Sequence, residues 1–346
     1  MVALLAGILA CGCQKEKGSG AGGGGGGSAL DYPADTTALL GFVRTGTPPS
    51  AEQIKGALNA ALGEEADREM LELVDLCVAP VVPHLERTTV VVRGDPREER
   101  AIVFASGSGL RPAIEGCFKK MAEKNGKPFA PGEESGFTTY KMGGGDPLTA
   151  RWTGTDAVVL GGSSAEITSA TSAAGGLKGT PLEKVVGAVD RSASIWFAAA
   201  GPNLPQQAEI DSVSGTVKDL HGSTRAVFKS PEAAQRAGTM AQMVIPKGIK
   251  VDGSAVEVGV SVVDLPTFIP GEKRMPMSKE HAQALVDAGP LMVAFFLVAG
   301  GEHDVEAAPP VPAEAAPAPE AVVPPPEVAP PAPPAEPAPP VQPATP

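Results

Sequence analysis

The chain has 346 residues and a formal net charge of −12 at pH 7, with 42% hydrophobic and only 4% aromatic residues. Seven of its acidic residues follow Gly301, where no Lys or Arg balances them. The central body is therefore mildly acidic, without the basic footprint that nucleic acid or anionic lipid requires and short of aromatic stacking platforms.

Residues Met1–Ala10 form an apolar run. It is too short to cross a bilayer, which takes ~20 residues, but its length suits the h-region of a signal peptide. The run ends Ile8-Leu9-Ala10-Cys11. This quartet resembles the lipobox of bacterial lipoproteins, in which an aliphatic residue, a spacer and a small residue precede the cysteine. The resemblance implies that residues 1–10 are a signal peptide that is removed. It also implies that Cys11 is acylated, and that the protein is exported and bound to a membrane through that lipid. Gly12, rather than Asp, follows the cysteine, which resembles an outer-membrane, periplasm-facing address. No Lys or Arg precedes the run, so this reading expects the true start to lie further upstream. The competing reading is a short core strand or a free apolar N-terminus. Residues 11–30 hold six consecutive glycines, Gly22 to Gly27, and read as a flexible tether.

The body begins with a strand expected over Thr37–Arg44. Ser50 and Gln53 form a capping box that opens a helix to Gly63. A second helix to about Val78 places Met70, Val74, Cys77 and Val78 on one face. Thr88–Arg93 and Arg100–Ser106 read as a hairpin across Gly94-Asp95-Pro96. A helix near Leu110 buries Ile114, Cys117, Phe118 and Met121. Strands are expected at Gly136–Met142, Leu148–Thr153 and Ala157–Gly161, and a helix from Ser163 closes a first half over 31–175.

The second half, 176–301, has a related order. Ser194–Ala199 is an expected strand, and Val213–Lys218 with Ser223–Lys229 forms a hairpin about His221-Gly222. Ser230-Pro231-Glu232 starts a helix, and Val256, Val258, Val260 and Val262 alternate as a strand. Ser278 caps a last helix to Ala288. Leu291–Ala299 is too short to span a membrane and reads as a buried strand or helix. The expected class is α+β, with mainly antiparallel sheets and helices on one face. The parallel order of the halves suggests internal duplication of a β-β-α-β unit. The Pro33-Ala34-Asp35-Thr36 opening and the Ser230–Ala234 helix start resemble uncharacterised extracytoplasmic bacterial proteins, a resemblance that implies no activity.

Residues 302–346 form a tail. From Ala307 onward 17 of 40 residues are Pro, which excludes helix and sheet and predicts a disordered polyproline II spacer. Its reading is either an inert tail or a reaching or docking element.

Cys77 and Cys117 lie on apolar helix faces, and an exported chain meets oxidising conditions, so a disulfide between them is expected. Two independent buried thiols are the alternative. The histidines, His84, His221, His281 and His303, fit no metal-ligand spacing, and no cofactor site or catalytic residue is assigned. Gly143–Asp146 lacks the Lys and helix of a phosphate loop. Arg93-Gly94-Asp95 reads as a strand end rather than an adhesion motif. Ser106 and Ser108 occupy a strand-to-helix turn without completing a nucleophile elbow. The expectation is a lipid-anchored, non-enzymatic binding or organising module of the cell envelope, with an envelope protein or cell-wall partner. The alternative is an envelope hydrolase using Ser106 or Ser108.

Overall fold

The computed structural model describes residues 31–63, 68–94, 100–141, 147–172, 176–201, 204, 209–245, 248–268 and 275–299. Cys11, its tether and the proline-rich tail lie outside the described residues. The first seven strands are β1 (Thr36–Val43), β2 (Arg87–Arg93), β3 (Arg100–Ser106), β4 (Gly132–Glu134), β5 (Phe137–Tyr140), β6 (Leu148–Thr153) and β7 (Ala157–Gly161). Five more follow: β8 (Ile195–Ala200), β9 (Ile210–Lys218), β10 (His221–Phe228), β11 (Ile249–Asp252) and β12 (Ala255–Ser261). All join one 12-stranded sheet in the order β11-β12-β10-β9-β8-β1-β2-β3-β7-β6-β5-β4. The ladders are antiparallel throughout. The protein is thus of the α+β class.

The helices start where capping chemistry places them. In α1 (Ala51–Leu62), Ser50 and Gln53 exchange the two bonds of a capping box. Ser163 and Glu166 do the same for α4 (Ser164–Thr171). Ser230 accepts from the Ala233 N–H at the start of α6 (Pro231–Val244), satisfying a donor the helix itself cannot. Between them, α2 (Arg68–Leu73) continues as a π segment, Val74–Val78, then as the turns Ala79–Val81 and Val82–His84. The remaining elements are α3 (Leu110–Lys124), α5 (Pro181–Gly187), a 3-10 segment Val262–Phe268 and α7 (Lys279–Ala299).

Strand alternation sorts the core into two layers. Val90 and Val103 join Phe42, α1, the π segment and α3 in one cluster. Their neighbours Val91 and Ile102 join Leu39, Trp196, Leu182 of α5 and Ala170 of α4 in another. Successive residues point to opposite faces, so helices cover both faces and not one as the sequence suggests. The paired row Phe42, Ile195, Val217, Gly222 and Val260 follows the first face across five strands. There α6 covers Val256 and Val258, while α7 and the 3-10 segment cover Val217. On the opposite face of the second half α5 covers Trp196 and Ala198 of β8, and the residues of β10, β12 and β11 beyond it are mainly polar.

Three further differences from the sequence reading have local causes. The β9–β10 turn is Asp219-Leu220, with φ of 51° and 62°, so the hairpin closes before His221-Gly222. The glycine lies inside the ladder instead, opposite Val217 and Val260. The last helix runs through Gly289-Pro290 to Ala299, because one proline removes a single helical donor. None of the described helices is long and apolar enough to cross a membrane. The edge strands β4 and β11 and the short helix α5 add elements that had no clear sequence pattern.

Candidate functional site

The Cys77–Cys117 disulfide is present, with Cα atoms 4.7 Å apart. It ties the π segment to α3, and both cysteines are buried. Their neighbours Val74, Val78, Ile114 and Phe118 belong to the same core cluster. The bridge is therefore part of the packing between these helices and the sheet.

The serine turn assembles a different contact pattern from a catalytic triad. Ser106 ends β3 and its carbonyl accepts the Glu86 N–H at 2.8 Å. Ser108 is exposed on the turn. His84 does approach, but its Nδ1 meets the Ser108 carbonyl at 2.9 Å. The Asp156 carboxylate accepts the Gly109 N–H at 2.7 Å. The Asp156 carbonyl takes the Gly107 N–H at 2.8 Å. Serine, histidine and aspartate thus converge through backbone groups, and among the described residues neither serine hydroxyl bonds to a histidine. Gly107 is required by crowding: a Cβ there lies 1.9 Å from the His84 carbonyl oxygen. The constellation holds the β3–α3 turn against the end of the α2 segment.

A polar network that the sequence did not reveal lies between α3 and strands β4–β6. Arg111 donates to Glu115 and to Glu133, each at 2.8 Å. Its guanidinium also stands 5.5 Å from the Trp152 ring centre, a cation–π arrangement. The Trp152 indole donates to the Tyr140 hydroxyl at 2.9 Å, and that hydroxyl donates to Glu115 at 2.9 Å. Burial, above all, pushes the Tyr140 phenol well above its ordinary value; the bond to Glu115 adds to this, while Trp152 opposes it. Tyr140 is therefore a neutral donor throughout the physiological range. Thr138 completes the chain with a 2.9 Å bond to Glu133. These bonds tie α3 to strands β4–β6 and orient it over the sheet.

Beyond α5, which touches β8 and β9, the face of β9, β10, β12 and β11 opposite α6 carries mainly polar side chains. Register places Lys250, Glu257, Arg225 and Ser214 in one row across four strands. Thr216 and Ser223 share the next row. Arg225 donates to Glu257 at 2.6 Å, with the arginine side chain 49% exposed. The helix α6 packs on the other face of these strands; on this face Arg225 is half-exposed while its partner Glu257 is mostly covered. A small apolar cavity of about 30 Å³ lies beneath, lined by Phe197, Val217, Val260, Val262 and Leu265 among others. Its volume is that of a water or two, and its apolar walls make it a packing gap.

No family model matches the chain, and no curated protein matches it. Among solved structures it is similar to TP0453 in crystal form I, at 13% identity and a TM-score of 0.40. That likeness covers 69% of this chain and 95% of the other, and it is too distant to carry function.

Proposed function

We propose that the protein is an exported lipoprotein, held to a membrane of the bacterial envelope through a lipid on Cys11. Its body acts as a non-enzymatic module that binds or organises an envelope protein or cell-wall partner. The observation that carries the reading is the lipobox Cys11 joined to a body crosslinked by Cys77–Cys117, since disulfides persist in oxidising compartments. The row of polar residues from Lys250 through Glu257 and Arg225 to Ser214 is the surface this reading assigns to a partner. The backbone contacts of His84 and Asp156 at Ser106 and Ser108 speak against the alternative envelope hydrolase.

An internal duplication accompanies this reading. Each half supplies a central strand, a hairpin and a helix after the hairpin, β1, β2-β3 and α3 against β8, β9-β10 and α6, with α1 and the α2 segment inserted between β1 and β2 of the first half alone. In each, a later strand returns to the third, β7 to β3 and β12 to β10. The central strands β1 and β8 pair antiparallel, as two copies related by a two-fold would.

Expression in a bacterial host with labelled fatty acid tests the anchor. The native chain is expected to take up label and pellet with membranes, and Cys11→Ser to lose both. Unchanged pelleting of the variant, or an unlabelled native chain, overturns the proposal.

A further inference from the structure

Helix α7 packs against α1, β2, β3, the π segment, the turn Val82–His84 and the 3-10 segment Val262–Phe268. Ala282, Ala284, Val286 and Ala288 are buried on it. Among them sits Asp287, only 1% exposed. Its Oδ1 accepts a bond from Gln283 Nε2 at 3.0 Å, and among the described residues its Oδ2 has no partner. A carboxylate oxygen left unpaired in such a place carries the full desolvation cost when ionised.

The charged surroundings do not compensate. Arg44 bears on the carboxyl and favours its ionised form, but burial acts more strongly in the other direction, so the group titrates above its ordinary range. The Arg44 guanidinium is itself committed to the carbonyls of Val82 and Pro83, at 3.0 and 2.7 Å. On the elements packed against α7, Lys55 of α1 is paired with Asp75 of the π segment, and Arg93 of β2 with Asp35. Glu52, His84, Arg87, Arg100 and Asp264 are the other titratable groups on those elements, and Lys279, Glu280 and His281 are those on α7 itself. Among the described residues, none of them contributes to the shift at Asp287.

We propose that Asp287 makes α7 a pH-dependent latch, docked firmly while its carboxyl is protonated and loosened when it ionises, so that the helix detaches before the sheet unfolds. The sign follows from linkage. A carboxyl raised on docking gives its full contribution below the ordinary carboxylate range and loses it as pH rises through the docked-state value. Release uncovers Ala282, Val286 and the surface beneath them around Val217 and Val262.

Hydrogen exchange on the full chain at about pH 3, below the ordinary carboxylate range, and at about pH 8, corrected for intrinsic rates, reads this directly. Protection of Ala282–Ala288 is expected to fall about tenfold relative to β2 and β3 for each unit by which docking raises the carboxyl. Asp287→Asn is expected to abolish the difference. Gln283→Ala, which removes the bond favouring the ionised form, is expected to move the loss to higher pH. Equal protection of α7 at both pH values, parallel loss in β2 and β3, or a difference that survives in Asp287→Asn overturns the latch. So does a Gln283→Ala profile that stays put or moves down.

Discussion

Tyr140 shows how one hydroxyl can organise a layer. It receives the Trp152 indole N–H and donates its own O–H to Glu115, while its ring meets Phe118 edge-on and stacks on Phe129. Tyr140→Phe keeps the rings and removes the relay. It is expected to cost about 2 kcal/mol, because the half-buried indole loses its acceptor and Glu115 a donor. Chemical denaturation measures the loss, and a red-shifted Trp152 emission should accompany it. Gly41 illustrates the opposite constraint. Trp196 lies so close that an added Cβ would sit 1.8 Å from its ring. Gly41→Ala is expected to destabilise by about 1–3 kcal/mol through overpacking, read as a lowered Tm, since neither the ring nor the central strand β1 has room to yield.

At the scale of elements, the disulfide closes a separation of 40 residues between the π segment and α3. Replacing both Cys77 and Cys117 by Ala is expected to cost about 4 kcal/mol in the loop-entropy description. Equilibrium unfolding checks this, and alkylation of the native chain should find both sulfurs unreactive until it is reduced. This pairing was legible in sequence because helical spacing put each cysteine on an apolar face. The strand Ala255–Ser261 was legible for a similar reason, its valines alternating with Glu257, Gly259 and Ser261. Edge strands β4 and β11 were not, since three or four residues carry too little alternation to register. The turn at Asp219-Leu220 was hidden because leucine rarely adopts a left-handed backbone. Here Leu220 packs beside Val217, Val262 and Met277, and its carbonyl accepts the Val262 N–H at 2.8 Å. The Arg111–Glu115–Tyr140 relay could not be read because its members meet only when β5 and β6 fold under α3. For Ser106 and Ser108 the residue types were visible, but not the use of His84 and Asp156 on peptide groups.

Across the whole molecule, the sheet consists of two runs of strands joined along the β1–β8 ladder, from Ala38–Ala199 to Phe42–Ile195. The partners in that ladder are more than 150 residues apart along the chain, whereas most other ladders are hairpins or short returns. Non-local pairing forms late and slowly, so the two halves are expected to gain exchange protection before the β1–β8 register does, a sequence that pulse labelling during refolding resolves. The same placement has a mechanical consequence. The chain enters the sheet through β1, which is held on one side by β2 and on the other by β8. A force applied through the residues before Asp31 is therefore borne by the middle of the sheet, and both flanking ladders must give way together before β1 is drawn out. An edge strand would peel one bond at a time; this one shares the load between the two halves of the molecule.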